Sequence, residues 1–422
     1  MDKDGVHLSA SQNISGNNGD RNSAVNTGFT QGSNQLGMKQ HNEKLVIDVV
    51  RRMQAVSKAD ITRITKLSAQ TITIIANRLI EEGLLNKGET VRGKVGQPSV
   101  LLELNPQGAL SIGVKLGRRT SQVMVMSFTF EVLAEKSFHY DYPDNPKIVN
   151  WIETSVSELI QSLSAEQQAR LVGIGLAMPD NLDLWEGVID APEGTMKAWK
   201  HVDITSWLQQ KFKLPVTEIN DATAACVAEL SQTHRQKPLN CLYFYIGTFF
   251  GAGLALDGRI YEGHSGKAGA VASLPLSLPT AQHPPQQMVS AAGLHTLETE
   301  LISRGYDRTA FLSEQQVSDE LNALFDSWAD EAGKALAFAI AGGQCFLDTP
   351  DVIIDGRLSP ALIARLIDKV KASFTQFDVS GITLPQLTQG QLGAQARPMG
   401  AAIMPLHAHF SLHHTHFHMQ SL

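Results

Sequence analysis

The 422-residue sequence predicts an α/β chain, with a small helical head at its N-terminus and a larger body of mixed strands and helices. Two observations carry that class. Between Asn42 and Leu104, three helix-period segments lead into two short apolar strands that flank a Gly- and Lys-containing loop. From Leu110 onward, β-like runs such as LSIGVKL, LVGIGL and CLYFYI alternate with helix-period segments. A chain of this length exceeds one compact core, so two or three domains are expected. Apolar residues make up 43% and charged residues 18%, the balance of a globular body.

Residues 1–37 are rich in Asn, Ser, Gly and Gln and nearly lack large apolar side chains. They cannot offset the entropy of ordering, and a disordered tail is expected. Met38, where that tail ends, is a candidate start codon. The head follows over 38–104. Leu45, Val46, Val49, Val50 and Met53 recur at helical spacing. Ser57 is a candidate N-cap for a short helix from Lys58 to Thr65, with Asp60 near the capping-box position. Lys66 and Leu67 form a turn. Ser68 caps a third helix running to about Glu82, with Ile72, Ile75, Leu79 and Ile80 inward and Gly83 as its stop. Leu84 and Leu85 open a strand, a polar loop holds Gly88, Arg92, Gly93, Lys94 and Gly96, and Val100 to Leu104 return.

That succession is a winged helix-turn-helix. In such a module the third helix offers its first turns to base edges in the major groove. Here those turns present Gln70, Thr71, Thr73, Ile74, Asn77 and Arg78. Gln pairs with adenine, Arg with guanine, and Thr and Ile touch thymine methyls. Ser68 and the helix N-terminus suit a phosphate. Arg92 and Lys94 place positive charge on the wing. The alternative is a three-helix protein-interaction module with a solvated polar face.

Charge follows the same division. Residues 41–105 hold ten Lys and Arg against seven Asp and Glu, whereas the whole chain carries −7. A mildly basic head on an acidic body suits a DNA reader joined to an effector domain. Cys226, Cys241 and Cys345 are few and far apart, which points to a reduced, cytoplasmic setting, and DNA binding would make the chain nucleoid-associated. No run of eighteen apolar residues and no secretory signal pattern occurs, so no membrane partner is expected.

In the body, Leu110–Leu116, Val123–Phe128 and a strand from Glu131 form an expected antiparallel meander. Residues 148–163 are helical by period, and Leu171–Leu176 is a buried strand. Val216–Ile219 leads into Asn220, Asp221 and a small-residue helix from Ala222 to Leu230. Cys241–Ile246 opens onto Gly247, Thr248, Gly251 and Gly253, and a helical run from about Leu321 to Phe346 precedes the strand Val352–Ile354.

Five segments in this order resemble the ROK family of bacterial sugar kinases and transcriptional repressors: LSAQTITIIANRLIEEGLL, GKVGQPSVLLELNP, INDATAACVAEL, YIGTFFGAGLALDGRIYEGHSGKAGA and LDTPDVIIDGRL. The resemblance covers about residues 42–410, and the head makes it similar to the repressor branch. It implies the two-lobed fold of actin and hexokinase, each lobe ribonuclease-H-like. The first lobe would span 105–240 and the second 241–410, before a His-rich tail over 411–422. It also implies a sugar or sugar phosphate between the lobes, and a homodimer or homotetramer whose paired heads meet palindromic operator DNA.

The family's kinase parts are only partly present. Its Asp-x-Gly-Gly-Thr turn corresponds to Lys115, Leu116, Gly117, Arg118, Arg119 and Thr120, so the metal-organising acid has become a lysine. Asn220-Asp221 matches the base motif, which leaves Asp221 as a vestigial base able to bind a sugar hydroxyl, or as a cap for the helix from Ala222. Gly247, Thr248, Gly251 and Gly253 match the second phosphate loop, although hairpins also use glycine for backbone reasons. The Gly-Glu-x-Gly-His motif aligns with Gly269, Ala270, Val271, Ala272 and Ser273, without its Glu and His. The family's zinc-binding cysteines are missing, since Ser277 to Gln287 contain none, and no cofactor is expected. Glu193 aligns with a sugar-contacting Asn, and Trp199 is either a stacking face or a core residue. His264 and His295 lie near the family's metal and sugar region. His407, His409, His413, His414, His416 and His418 read as a frayed tail in preference to a metal site.

The expectation is a non-enzymatic, sequence-specific DNA-binding regulator. It would repress sugar uptake or utilisation genes under control of a sugar or sugar phosphate. An ATP-dependent sugar kinase with a regulatory head, and an interaction protein with a vestigial cleft, are the alternatives.

Overall fold

The computed structural model describes residues 35–91, 98–180, 182–185, 189, 191–232, 239–280, 285–312 and 318–412. Arg92 and Lys94 of the wing, the histidines from His413 onward and the first 34 residues lie outside these. Among the described residues no helix is long and apolar enough to cross a membrane.

The head comprises α1 (Gln35–Met53), β1 (Ala55–Ser57), α2 (Lys58–Thr65), α3 (Ala69–Glu81), β2 (Leu85–Val91) and β3 (Ser99–Leu104). Ser57 caps α2 by accepting the Asp60 N–H, and Ser68 caps α3 by accepting the Thr71 N–H. Lys66 takes a left-handed conformation (φ 60°) to close α2. Gly83, at φ +75°, ends α3 in a Schellman arrangement: its N–H donates to Ile80 O, and that of Leu84 to Leu79 O. Two details depart from the sequence reading. A third strand, β1, pairs with β3, giving the order β1-β3-β2. Gly88 lies within β2 and not in the loop, at a register shift between Lys87 and Thr90, where a missing side chain eases a bulge.

The body holds two five-stranded sheets. The first is built from β4 (Leu110–Leu116), β5 (Thr120–Ser127), β6 (Val132–His139), β7 (Leu171–Met178) and β8 (Val216–Asn220), with α4 (Asn145–Gln161), α5 (Ala165–Gln168), α6 (Ile204–Phe212) and α7 (Asp221–Gln232). The second is built from β9 (Cys241–Ile246), β10 (Phe250–Leu256), β11 (Arg259–Ile260), β12 (Asp351–Gly356) and β13 (Gln386–Gln389). Its helices are α8 (Met288–Ala292), α9 (His295–Ser303), α10 (Asp319–Leu347) and α11 (Pro360–Ser373), before the final α12 (Ala396–Phe410). The orders, β6-β5-β4-β7-β8 and β11-β10-β9-β12-β13, repeat one topology. In each, the first three strands in sequence are antiparallel and the last two run parallel to the first.

The C-terminal helix departs from the expected boundary at 410. α12 packs mainly on β4 and β7 of the first sheet and on α7, and touches the second sheet through its first turn, where Ala396 and Arg397 meet Tyr243 and Tyr245. Small residues allow this. A Cβ on Gly175 would lie 1.7 Å from Ala401 O, and one on Gly400 would lie 1.7 Å from Ala224 O. The Ser111 hydroxyl adds a bond to Ala402 O at 2.5 Å.

One apolar core joins head and body. Val46, Val50, Ile61, Ile72 and Leu79 share it with Phe128 and Phe130 of the β5–β6 turn and with Met404 and Leu406 of α12. The Arg51 guanidinium sits over the rings of Phe128 (4.8 Å) and Phe130 (4.1 Å) and donates to Phe128 O at 2.6 Å. Burial there pushes the Arg51 pKa down to about 10.

Candidate functional site

Two surfaces gather the sequence-identified residues. On the head, Gln70, Thr73, Ile74 and Asn77 form one exposed stripe along α3, beginning beside Ser68. Ile74 is 62% exposed, which leaves its side chain free to meet a thymine methyl. Thr71 is half-buried beside the cap, its hydroxyl 2.8 Å from that of Ser68. The Thr73 hydroxyl donates to Ala69 O at 2.8 Å. Asn77 accepts from Lys58 Nζ at 2.8 Å, which ties α3 to the start of α2 and adds to the stripe a cation that sequence reading did not single out. Arg78 differs from its neighbours. Its guanidinium donates to Glu43 at 2.5 Å and to Glu82 at 2.7 Å, so it turns toward α1 and away from the exposed stripe. The two glutamates account for that orientation, and the expected guanine contact finds no support in it.

The second surface is the cleft where the β4–β5 turn meets the β9–β10 turn. Lys115 is buried and donates to Thr120 O at 2.9 Å and Thr120 Oγ1 at 2.6 Å, which folds the turn over Gly117. Tyr140 clamps the same turn by donating to Gly117 O at 2.5 Å. Burial, then the nearby Arg397, Arg357 and Arg118 guanidiniums, hold Lys115 well below the usual lysine range, against a raising pull from Asp221. The Arg118 guanidinium lies 4.2 Å from the Trp185 ring and 4.6 Å from that of Phe249, against a pair of rings that themselves pack 4.0 Å apart. Burial brings its pKa to about 10. Arg119 faces Glu298 at 3.9 Å and donates to Asp141 O.

Asp221 is buried, and its Oδ2 lies 3.1 Å from Nη1 of Arg397. The angle is too poor for a hydrogen bond, so the contact is an ion pair. The cap expected of Asp221 is made instead by Asn220, whose Oδ1 accepts the Ala222 N–H at 2.9 Å. That frees the Asp221 carboxylate to face the cleft. Arg397 stacks on Tyr245 at 3.9 Å. On the other turn, Thr248 donates to Glu298 at 3.0 Å and accepts from Arg357 at 3.3 Å, and His295 stacks on Phe249 at 5.0 Å. Lys267–Asp180 (2.5 Å) and Arg308–Asp141 (3.1 Å) span the cleft rim.

Other assignments fall elsewhere. Glu193 is exposed on a turn. Trp199 is a core residue that donates to Pro143 O at 2.7 Å, so the cleft tryptophan is Trp185. His264 is exposed. Within α12, His407 packs edge-on against Phe130, and His409 Nδ1 lies 3.0 Å from Pro405 O. Sequence reading passed over Arg357, Arg397 and Glu298. They lie far from Asp221 along the chain; Arg357 stands at the end of the LDTPDVIIDGRL segment, and no local motif marks Arg397 or Glu298.

Two sheets of repeated topology enclosing a cleft define a protein of the actin and hexokinase class, here carrying a winged helix-turn-helix head. The chain belongs to the ROK family, whose model matches residues 111–407. It is 23% identical to the protein y4fQ of Sinorhizobium fredii over 86% of this chain and 90% of that one. It is 27% identical to a xylose repressor of Caldicellulosiruptor bescii over 56% of this chain, a match spanning only 59% of the repressor's length. A crystal structure of a ROK family transcriptional regulator, a homologue of the E. coli MLC protein, superposes with a TM-score of 0.63 at 21% identity. That superposition covers 88% of this chain and 98% of the regulator.

Proposed function

We propose that the chain is a sugar-responsive transcriptional repressor. The head over 38–104 would read operator DNA, and the body over 105–410 would bind a sugar or sugar phosphate in its cleft. The observation that carries this reading is the course of α12. Its first turn places Arg397 on Asp221 in the cleft. Its last turn reaches α1 of the head: Lys44 donates to Ala408 O at 3.3 Å, and the Ser411 hydroxyl to Asp48 at 3.3 Å. One rigid helix therefore touches both the cleft and the reading head. An effector that bound Asp221 or Arg397 differently in two states would shift α12 and, with it, α1. Repressors among the relatives support the same function. Kinase activity is disfavoured, because Lys115 stands where an acid would organise metal and Asp221 is engaged by Arg397. Paired heads in a homo-oligomer would suit a palindromic operator.

The test is fluorescence anisotropy of the full chain with DNA from its own upstream region, at fixed salt, with and without a panel of sugars and sugar phosphates. Operator affinity that one sugar changes by tenfold or more is the expected result. Replacing Gln70 or Ile74 by Ala should cost about 1–3 kcal/mol of specific binding. No preference over random DNA would count against the repressor reading, and ATP-dependent sugar phosphorylation would favour the kinase.

A further inference from the structure

Among the described residues, the cleft carries more positive charge than its acids balance. Lys115, Arg118, Arg357 and Arg397 share it, and of the described acids facing them only Asp221 makes close contact with one, Arg397. Glu298 is occupied by Thr248 and by Arg119, and Asp180 by Lys267. Donors are left over. Lys115 spends two bonds on Thr120, of the three an ammonium can make. Nε of Arg118 and Nε of Arg397 are buried with no hydrogen-bond partner among the described residues. The cations also lie against bare backbone. A Cβ at Gly117 would fall 2.4 Å from Lys115 Nζ, and one at Gly247 would fall 3.0 Å from Arg397 Nη2. Buried charge of one sign is costly unless a counter-charge arrives with matching hydrogen bonds. Guanidinium groups meet that need best with the oxygens of a phosphate.

We propose that the cleft binds an anion, and that the effector presents a phosphate monoester to Lys115, Arg118, Arg357 and Arg397 without a metal ion. The proposal rests on the cleft being the effector site and narrows the effector to a phosphorylated sugar. A neutral sugar would leave the buried cations uncompensated. A phosphate would take up the free Lys115 and arginine donors, and would offset the burial and the lesser cation repulsion that depress Lys115 and Arg118.

Calorimetric titration of the full chain with inorganic phosphate, at constant ionic strength, tests the anion site. One saturable site per chain is expected, weakened at least tenfold in K115M and in R357M, with the unfolding midpoint of each variant confirming that it folds. Arg357 is half-buried, and its side chain bonds Thr248 and no other side chain among the described residues, so R357M keeps the test valid if K115M does not fold. Absence of saturable binding overturns the proposal, as does binding that both variants retain. An aldohexose 6-phosphate that binds tenfold tighter than inorganic phosphate supports the ester, whereas equal affinity overturns the effector assignment in favour of free phosphate. The operator experiment runs without phosphate, so failure of the repressor reading and failure of the anion site register separately.

Discussion

The β4–β5 and β9–β10 turns hold equivalent places in two sheets of the same strand order, yet they have diverged in opposite ways. The first carries Lys115, Arg118 and Arg119, with Gly117 as its one glycine. The second keeps Gly247, Gly251 and Gly253, as a phosphate loop would. Geometry gives most of those glycines another task. A Cβ on Gly251 would lie 2.6 Å from the Cβ of Ala222, and one on Gly253 would lie 2.6 Å from that of Cys226. Both let α7 lie flat on β10. Gly247 has looser neighbours, the end of the Arg397 side chain at 3.0 Å and the Phe249 carbonyl oxygen at 3.1 Å. A retained glycine thus reports how closely a helix approaches a sheet, whereas the charges gained on the opposite turn report a change of chemistry.

The sharpest way to break this comparison is to remove the ion pair that lies between the turns. R397M leaves the Asp221 carboxylate buried without its cation, and should cost about 3–5 kcal/mol in urea unfolding. The double variant D221N/R397M removes both charges and should recover more than half of that loss. Equal destabilisation in the single and double variants would show that Arg397 matters through packing on Tyr245 and not through Asp221.

A smaller effect separates the glycines. G251A and G253A each press a methyl group onto α7 and should cost about 1–3 kcal/mol. G247A meets a movable guanidinium and should cost less than about 1 kcal/mol. If G247A proved as damaging as G253A, the distinction between packing and turn glycines would fail.

Legibility in the sequence follows the same line between local and remote causes. β4 is legible to its observed ends, Leu110 and Leu116, because six of its seven residues are apolar or small and fill a fully buried strand, Lys115 being the exception. The caps at Ser57 and Ser68 were legible for a similar reason, since each bonds within three residues. α12 was not read as a helix. It is buried on nearly every face, so it shows no amphipathic period, and Gly400 and Pro405 resemble breaks. Arg397 therefore stayed invisible, although the fold sets it on Asp221, 176 positions earlier. Arg78 shows the other direction. Its place on α3 suited base contact, but Glu43, on another helix, claims it.

The smallest effect tests whether the first turn stores charge at a cost. The folded chain holds the Lys115 pKa well below 10.5, the value a free lysine takes on unfolding. Between those two pKa values the unfolded chain binds one more proton than the folded chain. Stability contributed by this group therefore rises as pH rises through that window, by up to about 1.4 kcal/mol per unit. K115M has no such group. Urea midpoints for the two chains, compared from about pH 7 to about pH 10 at one ionic strength, should diverge in favour of the lysine form as pH increases. Tyrosines and cysteines that titrate in the same range are common to both chains and cancel in the difference. Parallel curves would mean that Lys115 titrates alike in the folded and unfolded chains. The β4–β5 turn would then carry its cation without strain, and would differ from the β9–β10 turn in composition alone.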